Sequence, residues 1–394
     1  MKAPIRVLTG LVLSAFSLAC SSSGRIAEAK SEGPKKGHKV RVASTFTSPA
    51  RPDWRLGSPF THNNLTVFPV LADESTASPD LITLDEGLRS GKVTITEFGA
   101  DGRSHTINRR QMGDSAEVNR LALTNKSGKA LVLIAGEMIL GGRQDRIVGH
   151  DCIIESSNTP VPLDVFCVEH GRWSGSVAFG ERAGGFIGNA RTEASGSGSG
   201  AGTGSHASPG ETVSIMSAPM ALPNIREKAQ AKKSQDEVWS AVAETVTVTG
   251  TSTSTGTLKS VYQDKRVNTK LDGYERAFKG RLSAGNIVGV VAAIDGKIVS
   301  ADVFANHSLF QAYWPKMLNS YALEAVSTTT AGAPQVSRTD AEAFLARVQG
   351  SNASDAHEGV YRLAENQSSK DASFELEYIR KNPTLVHFNR VSKK

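Results

Sequence analysis

Between residues 60 and 169 the chain is a series of short β-branched, aromatic and aliphatic runs separated by turn residues. That pattern limits the fold more than any other feature. Residues 62–71 mix β-branched and aromatic side chains and read as a strand. Residues 92–98 alternate with period two, as a half-buried strand does. Residues 120–124 and 130–135 flank Asn125-Lys126-Ser127-Gly128, a hairpin turn signal. Residues 146–154 and 161–169 supply two more strands. Pro160 and Pro162 put the start of the last one at an edge or in a loop. Thr83, with Glu86 three positions on, caps a short helical turn. Strands that follow one another without long intervening helices argue for an antiparallel sandwich and against a doubly wound sheet.

After Pro223 the period shifts. Residues 224–245 carry apolar side chains at helical spacing, 245–257 are rich in Thr, Ser and Gly and read as a loop, and 271–282 read as a helix with Tyr274 and Phe278 one turn apart. Asp295-Gly296 lies between the apolar runs 286–294 and 297–304, a strong hairpin signal. Asn306 caps a helix reaching about Val326, which Pro315 bends or restarts. A short helix at 340–348 and a last strand at 386–391 follow. The fold class is α+β: an antiparallel β-sandwich-like first half joined to a helix-containing α+β second half. The hairpin at 286–304 needs a sheet to join, which favours one composite domain over 56–335, with 336–394 packing on it. The Gly/Ser-rich run 194–210 cannot bury a core and reads as a loop within that domain.

The N-terminus is an address. Lys2 and Arg6 precede the apolar stretch 7–19, the layout of a signal peptide and too short for a stable span. Ser17-Leu18-Ala19-Cys20 resembles a bacterial lipobox, in which the cysteine is acylated and becomes the first mature residue. Ser17 stands where such signals usually carry leucine. Ser21 resembles the signal that does not retain lipoproteins at the inner membrane. Ordinary secretion, with Cys20 incidental, is the alternative. No other apolar run reaches 18 residues, so no internal span is expected. The formal net charge of +6 is unevenly placed. Residues 1–19 hold +2, residues 20–55 hold +5, and the remainder holds −1. Residues 20–55 read as a flexible basic tether beside the anchor, so a membrane surface is the nearer partner and no nucleic acid is expected.

Three segments carry a family resemblance: Gly136-Glu137-Met138-Ile139-Leu140-Gly141-Gly142-Arg143-Gln144-Asp145-Arg146, Val165-Phe166-Cys167-Val168-Glu169-His170-Gly171-Arg172-Trp173, and Trp314-Pro315-Lys316-Met317-Leu318-Asn319-Ser320-Tyr321-Ala322-Leu323-Glu324-Ala325. Over about residues 60–330 the chain resembles the ARG and rhodanese-phosphatase-superfamily-associated protein domain family, which is biochemically uncharacterised. The resemblance implies a link to nucleotide or phosphate metabolism.

Familiar catalytic templates fail. Gly142-Arg143 stands where a phosphate loop needs Lys-Ser/Thr, and there is no His-Glu-x-x-His, no Cys-x-x-Cys and no His-x-His pair. No cofactor or metal is expected. What remains is a polar cluster at strand ends. Glu137, Asp145, Glu169 and His170 are the candidate acid–base groups, and Arg143, Gln144, Arg146, Arg172 and Trp173 are candidates for gripping a small anionic ligand. Alternatively these residues form turns, caps and ion pairs. Cys152 and Cys167 fall on what read as adjacent strands. They are a disulfide closing a ~15-residue loop, two buried thiols, or a nucleophile at Cys167. Asp302, Asn306 and His307 form a second constellation near a helix start, where Asn306 is more simply the cap. Tyr313, Trp314 and Tyr321 read as packing. Two functions stay open: a binding or interaction module at the bacterial cell envelope, lipid-anchored or secreted, with a small anionic ligand or an envelope protein as partner; or a hydrolase-like enzyme acting through Gln144-Asp145-Arg146 and Glu169-His170.

Overall fold

The computed structural model describes residues 53–73, 79–97, 119–142, 144–171, 219–231, 234–328, 332, 335–346, 351–357, 359–380 and 383–393. The signal segment, Cys20, most of the tether, the 194–210 run, Arg143, Arg172 and Trp173 lie outside the described residues. Strands β1 (Arg55–Leu56), β2 (Phe60–His62) and β3 (Leu65–Leu71) open the chain. The single strand expected at 62–71 is instead a hairpin. Asn63, at φ 50°, and Asn64 form its two-residue loop, and His62 pairs with Leu65. Strand β4 (Leu81–Thr83) runs into α1 (Leu84–Arg89), where Thr83 and Glu86 close the expected capping box. Strands β5 (Val93–Glu97), β6 (Arg120–Asn125), β7 (Ala130–Leu133), β8 (Met138–Ile139), β9 (Arg146–Val148), β10 (Cys152–Ile154) and β11 (Val161–Cys167) complete the first half. They form two small sheets, β10-β7-β4 and β5-β6-β11-β9-β8, antiparallel except for the β4–β7 pair.

Two strand pairings differ from those the sequence suggests. Asn125-Lys126-Ser127-Gly128 does turn the chain, with the Ser127 amide donating to Asn125 Oδ1, but β6 and β7 do not pair. Both edges of β6 are taken by β5 and β11, so β7 enters the other sheet. Residues 146–154 are two strands, because the Gly149 amide donates to the Asp164 carbonyl and Asp151 turns into the interior. As a result β10 and β11 are not neighbours. Cys152 lies opposite Leu133 and Cys167 opposite Arg146, in different sheets, and both are free, buried thiols. The disulfide reading is thereby replaced by the two-thiol one.

The second half holds α2 (Pro223–Gln230), α3 (Gln235–Thr249), α4 (Leu258–Gln263) and α5 (Lys265–Phe278). The helix expected over 224–245 is divided, because Ser234 starts a new helix through a capping box with Glu237. In α5, Val267, Leu271, Tyr274 and Phe278 recur at helical spacing and are buried. Strands β12 (Ile287–Ile294) and β13 (Lys297–Phe304) form the expected hairpin. Asp295 at φ 48° and Gly296 at φ 75° supply the two positive angles that a two-residue loop of this hand requires. The Asn306 side chain caps α6 (His307–Ser327), which continues through Pro315. Helix α7 (Arg338–Leu345) and strands β14 (Ser351–His357), β15 (Tyr361–Gln367), β16 (Asp371–Tyr378) and β17 (Thr384–Ser392) end the chain. Only β17 among these strands was foreseen.

The large sheet runs β1-β3-β12-β13-β17-β16-β15-β14, with β2 also on β3. Strand β3 of the first half therefore lies directly against β12 of the second, from Leu65 opposite Ile294 to Leu71 opposite Ile287. The sheet is covered on both faces. Leu65 and Val67 share a core with Ile95, Leu131, Val165 and the α6 residues Phe310 and Met317. Phe68, Val70, Val303 and Phe388 face Phe344 and Leu345 of α7. Each such fully buried side chain contributes about 1.5–3 kcal/mol relative to exposure. The architecture is α+β with antiparallel sheets, as the pattern of short strands implied. No helix among the described residues is long and apolar enough to cross a membrane.

Candidate functional site

Three polar clusters lie within this frame. The first gathers the residues singled out at strand ends. Arg146 opens β9 and donates through both guanidinium nitrogens to Glu97 at the end of β5, each at 3.0 Å. The Asp145 carboxylate accepts from the Gly141 amide and the Thr257 hydroxyl, both at 2.9 Å. The Asp145 amide donates to Glu169 Oε2 at 3.0 Å. Gln144 donates to the Glu169 carbonyl and accepts from Cys167 Sγ, again at 3.0 Å. Gln144, Asp145, Arg146 and Glu169 are all buried. Of the residues singled out in the sequence, Gln144, Asp145, Arg146 and Glu169 meet here, and Glu97 and Thr257, which sequence reasoning missed, complete the cluster. His170 stands outside it, exposed and edge-on to Trp239 with ring centroids 4.6 Å apart. Burial pushes the Cys167 thiol up to about 11, against the pull of Arg146, so it is a poor nucleophile near neutral pH. Burial, with Asp151 nearby, raises Cys152 too.

Glu137 belongs to the second cluster. It is fully buried and accepts from Lys316 Nζ at 2.8 Å, the Ile134 amide at 2.8 Å and the Tyr313 hydroxyl at 3.3 Å. Lys316 also pairs at 2.8 Å with Asp85 in the first turn of α1. Burial raises Glu137 above the ordinary carboxylate range, with Lys316 opposing. Burial would lower Lys316, but Glu137 and Asp85 raise it. Tyr313 and Lys316 thus join α6 to the segment around Glu137, and two of the three resemblance segments meet here.

The third cluster was not foreseen as such. Arg226 of α2 donates to Asp302 of β13 at 2.6 Å, and neither side chain has any exposure. Asp302 also accepts from Ser300 at 2.8 Å, from Asn389 at 2.9 Å and from the Tyr321 hydroxyl. His387 of β17 lies between two carboxylates. Its Nδ1 is 2.6 Å from Asp151 and its Nε2 is 3.3 Å from Asp302. The Phe304 ring stacks on it with centroids 4.5 Å apart. Burial would raise Asp302, but Arg226 and His387 hold it well below the carboxylate range. Burial would lower His387, but Asp151 and Asp302 raise it above 6.5. Gly136 makes room for this arrangement: at φ +86°, a Cβ there would stand 2.4 Å from Arg226 Cγ. Asp302 therefore does not act with Asn306 and His307. Asn306 caps α6, and His307 Nδ1 lies 2.7 Å from the Ile287 carbonyl. The Tyr321 ring packs as expected, but its hydroxyl belongs to this network.

A single-residue signal for the third cluster did exist. Ser300 and Asp302 lie on one face of β13 while Ala301 and Val303 lie on the other, and all four are buried. An acidic residue in such a strand must find partners inside. Which partners it finds depends on β17 and α2, far along the chain. Chemically, all three clusters place charge opposite charge in the interior. Among the described residues no group of three or more His, Cys, Asp and Glu side chains is placed to hold a metal ion.

The sequence model of one family, described as the ARG and rhodanese-phosphatase-superfamily-associated protein domain, matches residues 53–391. None of the curated proteins matches the chain, and none of the solved structures does. The family match spans β1 to β17 and includes all three clusters. With well over half its length matched, the chain belongs to the ARG and rhodanese-phosphatase-superfamily-associated protein domain family.

Proposed function

We propose that the chain is a non-catalytic binding or interaction module of the bacterial cell envelope, held there by lipidation at Cys20. The observation that supports the first part is the first cluster. Asp145, Arg146 and Glu169 are buried, and each is engaged by groups of the chain itself. A general base must reach a proton on its substrate. These carboxylates are instead spent on backbone amides, a hydroxyl and a guanidinium. The envelope location rests on the signal-like residues 1–19 and the lipobox-like residues 17–20. A small anionic ligand or an envelope protein is the partner this reading allows.

Turnover assays with phosphate monoesters and nucleotides test the non-catalytic part. The expected result is no activity in the full chain. Activity that disappears in Glu169→Gln, with the melting temperature retained, would overturn it. Metabolic labelling with palmitate tests the anchor, with label expected in the wild type and lost in Cys20→Ala. An unlabelled wild type contradicts it.

A further inference from the structure

The folded body carries a formal charge near zero, yet one of its surface helices does not. Helix α5 buries Val267, Leu271, Tyr274 and Phe278 and turns its other side to solvent. On that side and just beyond the helix end stand Lys265, Arg266, Lys270, Arg276, Lys279 and Arg281, all exposed. Among the described residues, Arg266 is the one of these six in an ion pair, with Asp264 at 3.1 Å. Asp272 is the one exposed acid on this stretch, and Asp264 and Glu275 are half-buried. Arg281 lies over the Phe60 ring at 5.5 Å, so the basic strip continues onto the β2 end of the large sheet. Helix α3 is the contrast. It too is a surface helix, but its exposed charges are Asp236, Glu237 and Glu244, and it has no Lys or Arg. Exposed lysines and arginines occur elsewhere on the body, but α5 and the turn after it gather six of them in 17 residues, next in sequence to helices without such a cluster.

We propose that the outer face of α5 docks on anionic phospholipid headgroups. The basic face and an anionic bilayer are complementary in charge, and the choice of a bilayer over other polyanions rests on the envelope reading above. Basic residues near an anionic bilayer each strengthen binding about fivefold, and salt screens the effect. Such a face is weak on its own. An acyl anchor in the same molecule raises the effective concentration of the bilayer, so a weak second contact suffices to orient the body. The face nearest the lipid would then be that of α5 and the β2 end. The acidic face of α3 is repelled by the same headgroups.

The test uses the mature chain with Cys20→Ser, so that no acyl chain contributes, and vesicles of phosphatidylcholine with or without phosphatidylglycerol. Two double variants carry the same charge change: Lys270→Glu with Arg276→Glu on α5, and Lys297→Glu with Lys370→Glu at other exposed positions. The expected result is salt-sensitive co-sedimentation with the phosphatidylglycerol vesicles only, reduced at least tenfold by the α5 pair and less than twofold by the control pair. Equal losses in both pairs would reduce the effect to net charge, and no loss in either would assign it to residues 20–55. Either outcome overturns the docking face. A DNA duplex that competes in an α5-dependent way at equal phosphate concentration would overturn lipid as the occupant. Palmitate labelling is read separately: an unlabelled wild type whose vesicle binding still depends on α5 removes the anchor and leaves the docking face.

Discussion

His387 shows how a buried ionisable residue is tied to the frame around it. It stands between Asp151 and Asp302, and Arg226, Tyr321 and Asn389 also bind Asp302. Its folded value is raised above the ordinary 6.5. The stability it contributes is therefore fully present below pH 6.5 and is lost as pH rises through the folded value. Urea unfolding of the wild type should show a midpoint that falls from pH 6.5 upward, and His387→Gln should flatten that slope. Asp302 acts in the opposite window. Its value is depressed, so its contribution is lost only in acid, below the ordinary carboxylate range. Lys316 is a plainer case. Lys316→Met would leave Glu137 buried without its cation and should cost about 3–5 kcal/mol in unfolding free energy. A loss under 1 kcal/mol would mean that Glu137 is neutral in the folded protein.

At the scale of elements, the features legible in the sequence were those fixed by neighbours. The Thr83–Glu86 box, the Asp295-Gly296 turn and the Asn306 cap each depend on residues within four positions, and each was readable. What failed was partner choice. Asn125-Lys126-Ser127-Gly128 turns the chain, but whether β6 and β7 then pair depends on β5 and β11. Residues 62–71 and 146–154 have the composition of single strands, and long-range hydrogen bonds divide them. Strand β14 has no apolar run at all, and β16 is buried along most of its length, so neither shows a clean alternation. The α2–α3 break is the element whose cause is most local. Ser234→Ala removes the acceptor for the Glu237 amide and should cost about 1 kcal/mol. Thermal melts of the two proteins measure it, and no change in melting temperature would mean that the capping box contributes nothing.

For the whole molecule, the decisive contact is β3 against β12. It joins residues more than 200 positions apart and places first-half and second-half side chains in one core. A chain starting at residue 219 would leave that side of β12 unpaired, and unpaired apolar edges drive aggregation. Expressed alone, residues 219–394 should be insoluble, and co-expression with residues 53–171 should recover soluble protein if the two associate. A soluble, folded 219–394 would contradict the shared core. The same separation explains what the sequence hid about the site. Glu137, Asp145, Arg146 and Glu169 were visible as polar residues in apolar surroundings. That they pair with Glu97, Thr257 and Lys316 depends on how distant strands and helices meet.

The polar residues of the first cluster are part of the interior and hold it together. The double-substitution cycle on Arg146 and Glu97, read as unfolding free energies in urea, tests this most directly. Arg146→Met alone should cost about 3–5 kcal/mol, because it removes the guanidinium that the buried Glu97 carboxylate faces, and adding Glu97→Leu should restore most of that loss. An Arg146→Met protein as stable as the wild type would contradict the claim and return Arg146 to the role of a ligand-gripping residue.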